Sequence, residues 1–102
     1  MQAGQTIDLG GKLILPGIID GHVHLNEPKR EVWEGYQTVS MAAAAGGITT
    51  ILDMPLNSTP PTPNRLALIR KREVASQLSV VDYGHWGGFV DNNLAGLKIV
   101  RH

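Results

Sequence analysis

The sequence predicts an α/β fold in which parallel strands alternate with helices. Three observations carry that prediction. Short aliphatic and β-branched runs recur at residues 18–25, 48–54 and 79–83. Segments with apolar residues at helical spacing lie between them, and Gly-Gly, Pro-Gly and proline-rich clusters punctuate the boundaries. Strands alternating with helices in this way build a parallel sheet with right-handed crossovers, covered on both faces. Three strands and two and a half helices form either a small doubly wound unit or the first part of a barrel whose remainder lies elsewhere. A complete (β/α)8 barrel takes about 250 residues, and this chain has 102.

The opening segment, Ile7 to Gly17, reads as a turn at Gly10-Gly11 followed by a short strand that stops at Pro16-Gly17. The next run, Ile18 to Leu25, alternates in its second half, which sets Asp20, His22 and His24 on one face. From about Arg30 to Ala45 the apolar positions Val32, Tyr36, Val39 and Ala43 follow one another at spacings of four, three and four, as an amphipathic helix requires. Gly46-Gly47 supplies its C-terminal stop.

Ile48 to Met54 is a second strand, bounded by Gly47 and Pro55. The loop Pro55 to Thr62 leads to Thr62-Pro63, the N-cap and first-turn pattern of a second helix with Leu66, Ile69 and Val74 on its buried stripe. Ser79 to Tyr83 reads as a third strand, and a glycine-rich loop from Gly84 to Gly88 carries His85 and Trp86. Asp91 is placed to cap a third helix containing Leu94, Leu97 and Lys98.

Composition excludes several classes of function. Nine basic and nine acidic residues balance to zero, so no charge excess favours nucleic acid or an anionic membrane. No apolar run approaches spanning length, and no charged start leads into an apolar stretch. Cysteine is absent, which rules out disulfides and thiolate metal ligands and fits a cytoplasmic protein.

The sharpest local feature is His22-Val23-His24. Two imidazoles two residues apart on a strand share a face about 6.5–7 Å apart along the backbone, close enough to lean onto one divalent metal. The pair sits where a strand runs into a proline-containing loop, the end at which parallel βα proteins place their sites. Two ordinary histidines at a strand end are the plain alternative, and two ligands do not by themselves make a catalytic centre.

Asp20-Gly21-His22-Val23-His24-Leu25-Asn26-Glu27-Pro28, then Trp33-Glu34-Gly35, then Ala42 through Thr50, and then Asp53-Met54-Pro55-Leu56-Asn57 together resemble the cyclic amidohydrolases. Within that family they are most similar to the allantoinase branch. Asn26 stands where dihydroorotases usually carry arginine, and Leu56 interrupts their usual Met-Pro-Asn. Trp86-Gly87-Gly88-Phe89-Val90 extends the resemblance over nearly the whole chain. Lys29 stands where the family commonly has glycine.

The resemblance implies a zinc-dependent hydrolase built as a (β/α)8 barrel beside a small β-sandwich. Residues 1–17 would then be a remnant of the sandwich and the crossover, and residues 18–102 an incomplete set of N-terminal barrel units. It implies a binuclear zinc centre whose hydroxide attacks a cyclic amide or ureide, allantoin or a similar ring, in purine catabolism. By motif, His22 and His24 are metal ligands and Asn57 is a substrate contact. The family's carboxylated bridging lysine, two further histidines and its proton-shuttling catalytic aspartate come from later strands and match no position here. Lys98, His85 and His102 do not fill those roles by setting. The short chain alone is therefore expected to be inactive. Two other readings are a dihydroorotase or hydantoinase, and a non-catalytic fragment whose open sheet edge associates with a partner or a second copy.

Overall fold

A computed structural model describes residues 4–90 and 93. The proposed third helix from Asp91, with Lys98, and His102 lie outside the described residues. Three strands and two helices alternate along the chain: β1 (Ile18–Val23), α1 (Tyr36–Ala45), β2 (Ile48–Asp53), α2 (Arg65–Leu78) and β3 (Asp82–His85). The strands form one parallel sheet in the order β1-β2-β3. The α/β expectation therefore holds for these five elements, although several boundaries move and the buried stripe of α2 runs through Leu68 and Ala75 while Leu66 and Ile69 are exposed.

Residues 4–17 contain the turn at Gly10-Gly11 but no strand, and Leu13, Ile14 and Leu15 are exposed. The expected short strand has no neighbour there to complete a ladder. The first helix begins at Tyr36 instead of Arg30. Val32 fits the periodicity yet is 92 % exposed, because the segment before Gly35 folds back in turns. The Tyr36 amide donates to Glu27 Oε2 at 2.6 Å, and the Thr38 hydroxyl accepts from the Gly35 amide at 3.3 Å. A Cβ on Gly35 would stand 3.0 Å from the Glu27 carboxyl, so glycine at this cap admits the carboxylate. The helix stops as expected, with Gly47 in the left-handed region at φ 81°.

The second helix is capped by Asn64, whose side chain accepts from the Ala67 amide at 3.0 Å, and not by Thr62. The third strand lies two to three residues later than its aliphatic run suggested, so His85 ends a strand and does not sit in a loop. Leu25, Tyr36, Ala43, Ile51 and Ala75 make the core, with Val23, Val39, Ile48, Val74, Leu78, Val81 and Tyr83 packed around it. Both helices thus cover the sheet face that carries Ile51. Among the described residues no helix is long and apolar enough to cross a membrane.

Strict alternation fails on β1. Pairing steps from Asp20 opposite Ile51 to Val23 opposite Asp53, three residues on one strand against two on the other. This is a bulge, and it re-aims side chains locally. Asp20 and Val23 consequently line one cleft with Val39, Ala42 and Ala43 of α1. Asp20 therefore does not share a histidine face as the alternation predicted.

Candidate metal centre

At the end of β1 the two predicted ligands come together. His22 Nε2 and His24 Nε2 lie 3.2 Å apart, with ring centroids separated by 5.1 Å. Two nitrogens each bound at 2.0–2.1 Å to one tetrahedral zinc stand about 3.3 Å apart. The pair therefore has the spacing of two cis ligands on one ion, and both imidazoles are exposed.

Among the described residues no group of three or more His, Asp or Glu side chains converges on a common point. The nearby carboxylates are engaged elsewhere. Asp20 Oδ1 accepts from the His22 amide at 3.1 Å, Glu27 caps α1, and Asp53 Oδ1 accepts from the buried Leu25 amide at 2.9 Å. The described chain thus offers two donors where a zinc centre takes at least three protein ligands.

Asn57 lies in the loop after β2 and is half-buried. It shares the C-terminal ends of the strands with the histidine pair, but among the described residues no hydrogen bond joins it to either imidazole. Trp86, half exposed at the end of β3, reaches back so that its indole Nε1 donates to the Gly21 carbonyl at 3.1 Å.

Beneath this end of the sheet lies a buried polar network that sequence reasoning missed. Asp53 and Lys71 form an ion pair whose side chains are 0 % and 2 % exposed. Lys71 Nζ also donates to Ser58 Oγ at 3.3 Å and to the Met54 carbonyl at 3.4 Å. The Tyr36 hydroxyl donates to Asp53 Oδ2 at 3.1 Å and meets His85 Nε2 at 2.7 Å. A hydroxyl has one proton, so donation to Asp53 assigns the proton of the second bond to His85 Nε2. One signal pointed here: Lys71 falls at helical spacing between the buried Leu68 and Ala75, an odd place for a cation without a partner.

The network sets its own electrostatics. Burial pushes the Asp53 carboxyl above its ordinary value, against the pull of the Lys71 ammonium and of the bonds from Leu25 and Tyr36. Burial, and then the Asp53 charge, push the Tyr36 phenol up. His85 is pushed down to about 4 by burial, reinforced by the Lys71 and Arg72 charges. His85 is therefore neutral at pH 7, packed in the sheet with its Nε2 bonded to the Tyr36 hydroxyl.

Comparison with known proteins places this arrangement. Residues 13–95 match the model of the amidohydrolase family. The allantoinase of Streptomyces avermitilis is 52 % identical over 91 residues, covering 89 % of this chain and 20 % of that protein. The allantoinase of Saccharomyces cerevisiae is 52 % identical over 84 residues, covering 82 % of this chain and 18 % of that protein. Among solved structures, the L-hydantoinase (dihydropyrimidinase) from Arthrobacter aurescens superposes with a TM-score of 0.86 at 38 % identity, over 96 % of this chain and 22 % of that one. The chain spans about a fifth of the length of these relatives. The three parallel strands and two helices are part of the barrel fold that the sequence resemblance implied.

Proposed function

This chain belongs to the amidohydrolase family, and from that premise we propose that it carries the first metal-binding strand of a zinc-dependent enzyme opening allantoin to allantoate. The 3.2 Å approach of His22 Nε2 to His24 Nε2 carries the metal part of this reading. Identity of about half to allantoinases from a bacterium and a yeast supports the ring it acts on.

His22 and His24 would hold the ion through Nε2, both imidazoles neutral with their protons on Nδ1. When bound, a zinc pair supplies Lewis-acid polarisation of a carbonyl and a water of lowered pKa. Asn57, on the loop after β2, would orient the ring through its amide, which can accept from a ring N–H and donate to a carbonyl. The bridging carboxylated lysine, the further histidines and the proton-shuttling aspartate that the family uses are not matched in these 102 residues. Residues 1–17 would be a remnant of a sandwich and its crossover, and residues 18–102 barrel units. The cysteine-free composition fits a cytoplasmic location, and the edges of β1 and β3, unpaired among the described residues, would suit either further barrel strands or a second copy.

The test is ring opening by the native product purified from its source cells, with allantoin, dihydroorotate and a 5-substituted hydantoin offered in parallel. Preference for allantoin, lost on chelation, is the expected result. Preference for hydantoin is the second reading, which the 38 % identity and close superposition with L-hydantoinase favour, and it would overturn the first.

A further inference from the structure

The backbone around the two histidines is held by the Trp86 and Asp53 side chains from other elements, by the Met54 amide and by Asp20 of the same strand, and these holds fall on the peptide units that aim the rings. A peptide unit is planar, so fixing its C=O or N–H fixes the whole plane. The Gly21–His22 plane is gripped at both polar atoms: Trp86 Nε1 donates to the Gly21 carbonyl at 3.1 Å, and the His22 amide donates to Asp20 Oδ1 at 3.1 Å. The Val23–His24 plane is held by the Met54 amide, which donates to the Val23 carbonyl at 2.7 Å. The His24–Leu25 plane is held by Asp53 Oδ1, which accepts from the Leu25 amide at 2.9 Å.

These bonds matter because the ladder is interrupted here. Between the paired residues Asp20 and Val23 the register shifts, so regular strand pairing does not define the backbone that carries His22. Two long-range side chains supply restraint in its place. Trp86 crosses from the end of β3 to β1, and its own amide donates to the Asp53 carbonyl at 2.9 Å. The Asp53 carboxylate is itself aimed by Lys71 and by the Tyr36 hydroxyl. The two restraints are therefore joined through one residue.

We propose that Asp53 and Trp86 are positioning residues for the His22–His24 donor pair, Trp86 fixing the peptide before His22 and Asp53 the peptide after His24. The role rests on the reading that this pair binds a divalent metal. Groups that orient metal-binding side chains from behind change affinity by about 10- to 100-fold when removed.

The experiment is a Co2+ titration of the full chain, followed by the visible absorption of the bound ion, with thermal unfolding recorded alongside. Four variants are compared with the unaltered protein: Trp86→Phe, which keeps a ring and removes the N–H donor, Asp53→Asn, Trp33→Phe, and His22→Ala combined with His24→Ala. Trp33 is exposed and stacks with Arg30, so its variant controls for loss of a surface indole. The expected result is about tenfold weaker Co2+ binding and a shifted absorption band in Trp86→Phe, with an unchanged unfolding midpoint. Asp53→Asn should weaken binding likewise, Trp33→Phe should leave it unaltered, and the double histidine variant should bind no Co2+. If the double variant binds as the unaltered protein does, or the unaltered protein binds no Co2+, the metal reading fails and the positioning role with it. If the histidines are required but Trp86→Phe retains full affinity and an unshifted band, the positioning role alone is overturned, whether or not Asp53→Asn folds.

Discussion

The Lys71 ammonium and the Asp53 carboxylate face each other out of contact with water, their side chains 2 % and 0 % exposed. The pair ties α2 to the last residue of β2 and, through the Leu25 amide, to the chain just beyond His24. Breaking a buried pair from one side strands the remaining charge. Lys71→Met should therefore cost about 3–5 kcal/mol, read by denaturant unfolding. Adding Asp53→Asn to it should recover much of that loss, and a double variant as unstable as the single would show that burial of the charge is not the cause.

Tyr36 couples the same carboxylate to His85 through one hydroxyl. Tyr36→Phe leaves the ring's packing in place but orphans an acceptor on Asp53 and a donor on His85. The expected loss is about 1–3 kcal/mol, measured by the same unfolding experiment. A change within error would mean that water replaces the hydroxyl at no cost.

Acid should weaken the fold through His85. Its folded pKa is pushed down to about 4 from an ordinary 6.5, so between those values the unfolded chain binds more protons there than the folded one. Stability consequently rises with pH across that window and is lost as pH falls through it. Tyr36 and Tyr83 pack against the ring, and the Lys71 and Arg72 charges oppose its protonation. The raised Asp53 carboxyl works in the opposite sense at low pH, so the comparison is with His85→Asn. That variant should show a flatter stability profile from pH 6.5 to 4, and an identical slope would exclude His85 as the titrating group.

Lys29 holds a left-handed conformation, φ 76°, a region that glycine enters without steric cost. A side chain in that region costs about 1–2 kcal/mol, partly offset by the greater unfolded-state freedom of glycine. Lys29→Gly should raise stability by about 0.5–1 kcal/mol. Destabilisation would show that the Lys29 side chain makes contacts worth more than the strain.

The elements that sequence located well are those whose signals are local. β2 is a β-branched run closed by Gly47 and Pro55, and α1 ends at a double glycine, so neither needs a distant partner to be recognised. Where distant contacts decide, the local pattern misleads. Val32 keeps helical spacing with Tyr36, but the helix starts where the Glu27 carboxylate reaches the Tyr36 amide, a contact across nine residues. The His-x-His pair was readable from spacing, whereas the bulge that separates it from Asp20 depends on pairing with β2. The spacing of Lys71 between Leu68 and Ala75 marks it as oddly placed, but its counter-ion lies on another element and no local pattern names it.

His22 and His24 form the proposed site for one divalent ion. Its most direct test is the zinc content of the native protein, set beside that of a His22→Ala, His24→Ala variant purified in the same way. The expected result is bound zinc in the native protein, removable by a chelator, and none above background in the variant. Zinc retained in full by the variant would contradict it.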